Sequence, residues 1–180
     1  MKVFGIGLSR TGTASLAEAL RLLNYSCVHF PTTRTQIEGF DAATDTPVAA
    51  DFVALDAYYP DSKFIYTYRD MEAWLNSCRK MFGVRPLASL KEQERSYFRE
   101  LRMRIYGVPE FDECSFRVAF VRHERAVMHH FEGREHVLLK IDICSGAGWE
   151  SLCPFLGVEI PDVAFPHKDA VLRPEERPCQ

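Results

Sequence analysis

The stretch Val3-Phe4-Gly5-Ile6-Gly7-Leu8-Ser9-Arg10-Thr11-Gly12-Thr13 passes from an apolar run into a polar turn, and an amphipathic segment begins at Ala14. Residues 3–8 have the length and continuous hydrophobicity of a strand buried on both faces of a parallel sheet. Over residues 14–23, Leu16, Ala19, Leu20 and Leu23 fall on one helical face. A strand, a glycine-bearing loop and a helix in that order make an anion cradle, because successive backbone N–H groups and the helix N-terminus converge. Gly7 and Gly12 match the GxxxxG half of a phosphate-binding loop. Thr13 and Ala14 occupy the places of the Lys that would reach the terminal phosphates and the hydroxyl that would hold Mg²⁺. The loop's cation is Arg10 instead. A dinucleotide fingerprint fails too, since Gly5 and Gly7 are followed by Arg10 where a third Gly is needed.

Outward from this loop, strands and helices alternate. Residues 26–30 read as a second strand closed by Pro31, residues 63–68 (KFIYTY) as a third, and residues 137–141 (VLLKI) as a fourth. Helical segments cover 47–57, 70–80 with Asp70 as N-cap, 91–105, 116–131 and 149–156. This pattern predicts an α/β fold, a P-loop-kinase-like parallel sheet of about four to five strands with helices on both faces. In such sheets ligands sit beyond the carboxyl ends of the strands, so the residues just after each strand matter most.

The 180 residues suffice for one domain with a full core, so residues 1–180 read as a single unit. A net charge of −3 argues against non-specific nucleic-acid binding. The six cysteines (Cys27, Cys78, Cys114, Cys144, Cys153 and Cys179) form neither a CxxC motif nor a zinc ribbon, and they fit free thiols in a reducing compartment. No apolar run reaches the length of a membrane span, and the expected location is cytoplasmic. His123, His129 and His130 share one helical segment without zinc-ligand spacing, so no metal is expected. Residues 79–104 carry eight Lys or Arg against three Glu, which reads first as a solvated helix face and second as a basic lip for an anion.

The strand at 63–68 runs into Arg69, and Ser77 follows eight residues later in the next helix. Together, SRTGTASL and IYTYRDMEAWLNS resemble the two signatures by which the sulfotransferase superfamily binds 3′-phosphoadenosine 5′-phosphosulfate (PAPS). The run GWESLCPFLGVEIPDVAFPHKD is similar to the closing segment of the compact single-domain branch. The resemblance implies that Arg10, Thr11, Gly12, Thr13 and Ala14 hold the 5′-phosphosulfate, while Arg69 and Ser77 hold the 3′-phosphate. It implies PAPS as co-substrate, no metal, and a small-molecule or glycan acceptor. Ala14 stands where relatives often have Thr, and His167 with Lys168 is a candidate for completing the 3′-phosphate site.

Sulfuryl transfer to a hydroxyl or amine also calls for a proton acceptor. Asp45, ahead of Pro47, is the first candidate and His29, at the end of the second strand, the next; Glu38 and Asp41 rank lower. An Asp at that place also suits a helix cap. Two other readings stay open: a degenerate P-loop nucleotide kinase, and a module that binds PAPS or its product without turnover.

Overall fold

The computed structural model describes residues 1–168. Five parallel strands form one sheet in the order β2-β3-β1-β4-β5, with β1 at Val3–Gly5, β2 at Cys27–His29, β3 at Ala42–Thr44, β4 at Lys63–Thr67 and β5 at Leu138–Ile141. The α/β expectation holds, and the strand count falls at its upper end. The added strand is β3, whose Ala-Ala-Thr sequence offers a single β-branched residue after two alanines, too little to mark a strand. It forms because β1 and β2 pair with it from both sides, a tertiary cause that outweighs propensity.

The helices are α1 Thr13–Leu22, α2 Arg34–Gly39, α3 Thr46–Tyr58, α4 Met71–Val84, α5 Glu92–Tyr106, α6 Glu113–His130 and α7 Trp149–Leu156. The short α2 was not anticipated, although Thr33 and Gln36 form a capping box at its start. Asp70 caps α4 by accepting the Ala73 N–H at 2.9 Å, as expected. Asp112 caps α6 and starts it three residues ahead of Phe116.

Period-two alternation splits the sheet residues between two layers. Val3 and Ile65 pack with Leu16 and Leu20 of α1 and Leu152 of α7 on one face. Phe4, Phe64 and Tyr66 pack with Phe52 of α3 and Val127 and Phe131 of α6 on the other. Beyond the sheet, α4, α5 and α6 build a third core around Trp74, Phe82, Tyr106 and Phe116, with Tyr106 and Phe116 stacked at 4.2 Å. His123 is consumed against Phe52 and Tyr66 on the second face: its Nε2 lies 2.7 Å from the Ile6 carbonyl, and burial lowers its pKa. Among the described residues no cluster of metal-ligating side chains occurs, and no helix is long and apolar enough to cross a membrane. Cys27, Cys78, Cys114 and Cys153 are free thiols, while Cys179 lies outside the described residues.

After β1 the chain moves to one side of the sheet, and after β3 it crosses to the other. The crevice that this reversal opens lies over the carboxyl ends of β1, β3 and β4.

Candidate functional site

Gly7 follows β1 where no side chain fits: a Cβ there would lie 1.9 Å from Thr67 Oγ1 and 2.3 Å from the Thr67 carbonyl oxygen. The loop therefore lies directly against the end of β4. Thr11 latches it there, its Oγ1 2.7 Å from both the Leu8 carbonyl and Thr67 Oγ1. This differs from the expected role of Thr11, because its hydroxyl is spent inside the protein and its N–H donates to the Leu8 carbonyl. Gly12 then turns the chain into α1 at φ 95°, a conformation that glycine adopts without strain. The first helical hydrogen bond runs from Leu16 N–H to the Gly12 carbonyl, which leaves the Thr13, Ala14 and Ser15 amides at the helix start for an anion. These amides share Thr13 and Ala14 with the set expected from the sequence and add Ser15.

Arg10, Gly12, Thr13, Ala14 and Ser15 line a cavity of about 260 Å³ together with Arg69 from the end of β4. Arg10, at φ 75°, sends its Nε to Ser77 Oγ at 2.8 Å, and Arg69 Nη1 reaches the Arg10 carbonyl at 3.4 Å. The two motifs therefore meet, with residues 67 apart in sequence joined by one hydrogen bond. Ser77 is 9% exposed, so it is no solvated helix position. Glu72 pairs with Arg117 and does not consume Arg69. Cys78 lies beneath, its thiol pushed well above the usual range by burial despite the nearby Arg10 and Arg69 guanidinium groups. His167 and Lys168 line the same cavity, and the Lys168 N–H donates to Ser15 Oγ at 2.9 Å.

Asp45 and His29, read as alternatives, stand side by side. His29 Nε2 lies 3.2 Å from Asp45 Oδ2, and its Nδ1 lies 2.9 Å from Thr44 Oγ1. Asp45 also caps α3: Oδ1 accepts the Thr46 N–H at 2.7 Å, the Ser9 hydroxyl at 2.7 Å and the Thr46 hydroxyl at 3.1 Å. The cap and the candidate base are one residue. Asp41 and Glu38 are elsewhere: Asp41 precedes β3, at the opposite end of the sheet, and binds Ser26, while Glu38 pairs with Arg34 on α2.

Asp45 and His29 open onto a second cavity of about 550 Å³. Phe30 and Phe98 stack at 5.5 Å along it, and Met81, Phe82 and Leu101 add apolar wall. Ala14 and Lys168 line both cavities, so the two meet at the start of α1. Tyr106 closes the floor, kept protonated by burial and by the charge of Asp45. The sequence alone reads the phenylalanines as core or pocket wall, and the structure puts Phe30, Phe82 and Phe98 on the wall. Several of the basic residues at 79–104 are tied down, Arg79 and Arg95 in ion pairs with Glu113 and Glu92, and Arg102 and Arg104 in pairs with Glu110 and Asp51. That supports the plainer reading of the charge run.

A sulfotransferase-domain family model matches residues 2–36 and 31–171. The chain is also 26% identical to Ava biosynthesis cluster protein M of Aspergillus versicolor, in an alignment covering 93% of this chain and 80% of the relative. With a model match over most of its length and a glycine-bearing loop at the head of a parallel sheet, the chain belongs to the sulfotransferase domain family, whose chemistry is sulfuryl transfer.

Proposed function

We propose that the protein transfers a sulfuryl group from PAPS to the hydroxyl or amine of a small, flat, largely apolar acceptor. The observation that carries this reading is a cavity lined by Arg10 and Arg69, with Ser77 hydrogen-bonded to Arg10, that opens into an aromatic-walled one. The Thr13, Ala14 and Ser15 amides and the positive end of α1 hold the phosphosulfate. Arg69 and Ser77 read the 3′-phosphate, for which a guanidinium fork is well suited. Arg10 spans the two and stabilises charge as it develops on the departing phosphate oxygen.

The acceptor oxygen or nitrogen forms a bond to sulfur while the bond from sulfur to the phosphate oxygen breaks. The products are the sulfated acceptor, 3′,5′-bisphosphoadenosine and one proton. Asp45 takes that proton on Oδ2, because Oδ1 already accepts three donors while Oδ2 accepts only His29. His29 orients the carboxylate, with Nε2 donating to it and Nδ1 accepting from Thr44. No step requires a metal.

Two measurements test this. Calorimetry should show 3′,5′-bisphosphoadenosine binding about 10- to 150-fold more tightly than 5′-AMP, the worth of one charge-assisted contact pair. Equal affinities would remove the 3′-phosphate reading. A screen with labelled PAPS should give transfer to naphthols and related phenols in preference to sugars; the reverse preference would sink the assignment of the aromatic cavity.

A further inference from the structure

We propose that Ser9 is a positioning residue that holds the Asp45 carboxylate in place from the donor loop, so that donor site and base form one mechanical unit. The inference rests on the reading of Asp45 as the proton acceptor. Ser9 precedes Arg10, yet its side chain is turned to the other cavity: Oγ donates to Asp45 Oδ1 at 2.7 Å and lies 2.5 Å from Thr46 Oγ1. Its backbone is pinned on both sides. The Ser9 N–H donates to Thr46 Oγ1 at 3.1 Å, and its carbonyl accepts the indole N–H of Trp74 at 2.9 Å. Trp74 is fully buried in the aromatic core of α4 and α6, which gives Ser9 a rigid support.

Asp45 needs such a support. At φ 88° it holds a conformation that L side chains rarely adopt, at the head of α3. The Thr46 N–H at 2.7 Å and the longer Thr46 hydroxyl contact at 3.1 Å both come from the adjoining residue of α3. The Ser9 hydroxyl reaches the same oxygen from the neighbouring loop, and the three donors together direct Oδ2 to His29 and the cavity. A displacement of the donor loop would therefore be felt by the base through one hydrogen bond.

The test measures transfer from PAPS to 2-naphthol and, separately, binding of 3′,5′-bisphosphoadenosine. Ser9→Ala should lower kcat by about 10- to 100-fold, the worth of a hydrogen bond to a charged group. Nucleotide affinity should change by less than about threefold, because Ser9 faces away from the donor cavity. Ser9→Thr, which keeps the hydroxyl, should recover most of the rate. In an Asp45→Asn background, Ser9→Ala should cost about twofold or less, since the partner of the hydrogen bond is already disabled. Should Ser9→Ala not fold, Ser9→Cys keeps the volume and removes the strong donor. If Ser9→Ala weakens nucleotide binding as much as turnover, Ser9 is an anion contact and the inference falls. An undiminished Ser9→Ala loss in the Asp45→Asn background also overturns it. If Asp45→Asn alone leaves the rate intact, the base assignment fails first, and the role of Ser9 with it.

Discussion

The cavity proposed for the donor and the cavity proposed for the acceptor share a wall at Ala14 and Lys168, but they are built by opposite means. The cradle is mostly backbone: amides at the start of α1, a loop pressed against β4 at Gly7, with Arg10 on that loop and Arg69 just after β4. The acceptor cavity is mostly side chain, with Phe30 after β2, Met81 and Phe82 on α4, and Phe98 and Leu101 on α5. A backbone cradle fixes its ligand by geometry and changes little when a neighbouring side chain changes. A side-chain wall sets its ligand by shape and can be altered one residue at a time.

The largest expected effect lies where the two regions meet. A carboxylate that takes a proton in the transition state contributes about 10²–10⁴-fold, so Asp45→Asn should lower turnover by that factor while binding of 3′,5′-bisphosphoadenosine stays unchanged. Asn retains an oxygen for the Thr46 N–H, so the α3 cap survives. His29→Asn should cost less, because His29 orients the carboxylate and does not itself receive the proton. A complete loss in His29→Asn beside an active Asp45→Asn would exchange the two roles.

Gly7→Ala tests whether the cradle is as intolerant as its geometry demands. The new methyl would meet Thr67 Oγ1 and the Thr67 carbonyl well inside contact distance, and a strand end cannot yield as a flexible side chain can. A loss of about 3 kcal/mol or more in unfolding free energy is expected, and nucleotide binding should go with it. Gly83→Ala on α4, where an added Cβ meets nothing within 4 Å, is the control and should be neutral or slightly stabilising in thermal melts. Equal melting temperatures for the two variants would refute the close packing of loop on strand.

The same division explains what the sequence made legible. The cradle residues are contiguous, and Arg69 and Ser77 follow from a single strand–helix junction, so one reading frame exposes them. β3 escaped because its two alanines are chosen for close packing between β1 and β2, and small residues carry no strand signal. Which phenylalanines form the aromatic wall was not legible for another reason. Phe30, Phe82 and Phe98 come from three separate elements, and each alone is indistinguishable from a core phenylalanine. The pairing of Asp45 with His29 depends on β2 and β3 lying side by side, and that contact needed the strand that was missed.

A smaller effect concerns the support of α3 from behind. Asp56 accepts two hydrogen bonds from Arg134, at 2.6 and 2.8 Å, and one from His130 at 2.8 Å, tying α3 to the end of α6. These contacts, Arg134 foremost, hold the Asp56 carboxyl below its usual range. Its stabilising contribution is therefore complete above the unfolded carboxylate value of about 4 and fades as the pH falls through the lower folded value. Asp56→Asn should cost about 1–2 kcal/mol at pH 7, a modest figure because Arg134 is partly solvated. The gap between variant and wild type in urea melts should narrow at pH 3. A gap that stays constant with pH would mean that packing, not charge, accounts for the contact.

The smallest expected effect tests the side-chain half of the comparison. Phe98 stacks on Phe30 with ring centroids 5.5 Å apart and planes 20° from parallel, and Phe30 itself sits at φ 57°, where an L residue gains from being held. An aromatic pair of this kind is worth about 0.5–1.5 kcal/mol beyond its buried area. Phe98→Ala should therefore raise KM for 2-naphthol about 2- to 12-fold while leaving kcat and nucleotide affinity near the wild-type values. That split is the signature of a wall that binds the acceptor equally in the ground and transition states. A fall in kcat with KM unchanged would place Phe98 among the groups that align the reacting atoms. Weakened nucleotide binding would mean that the two cavities are less independent than their construction implies.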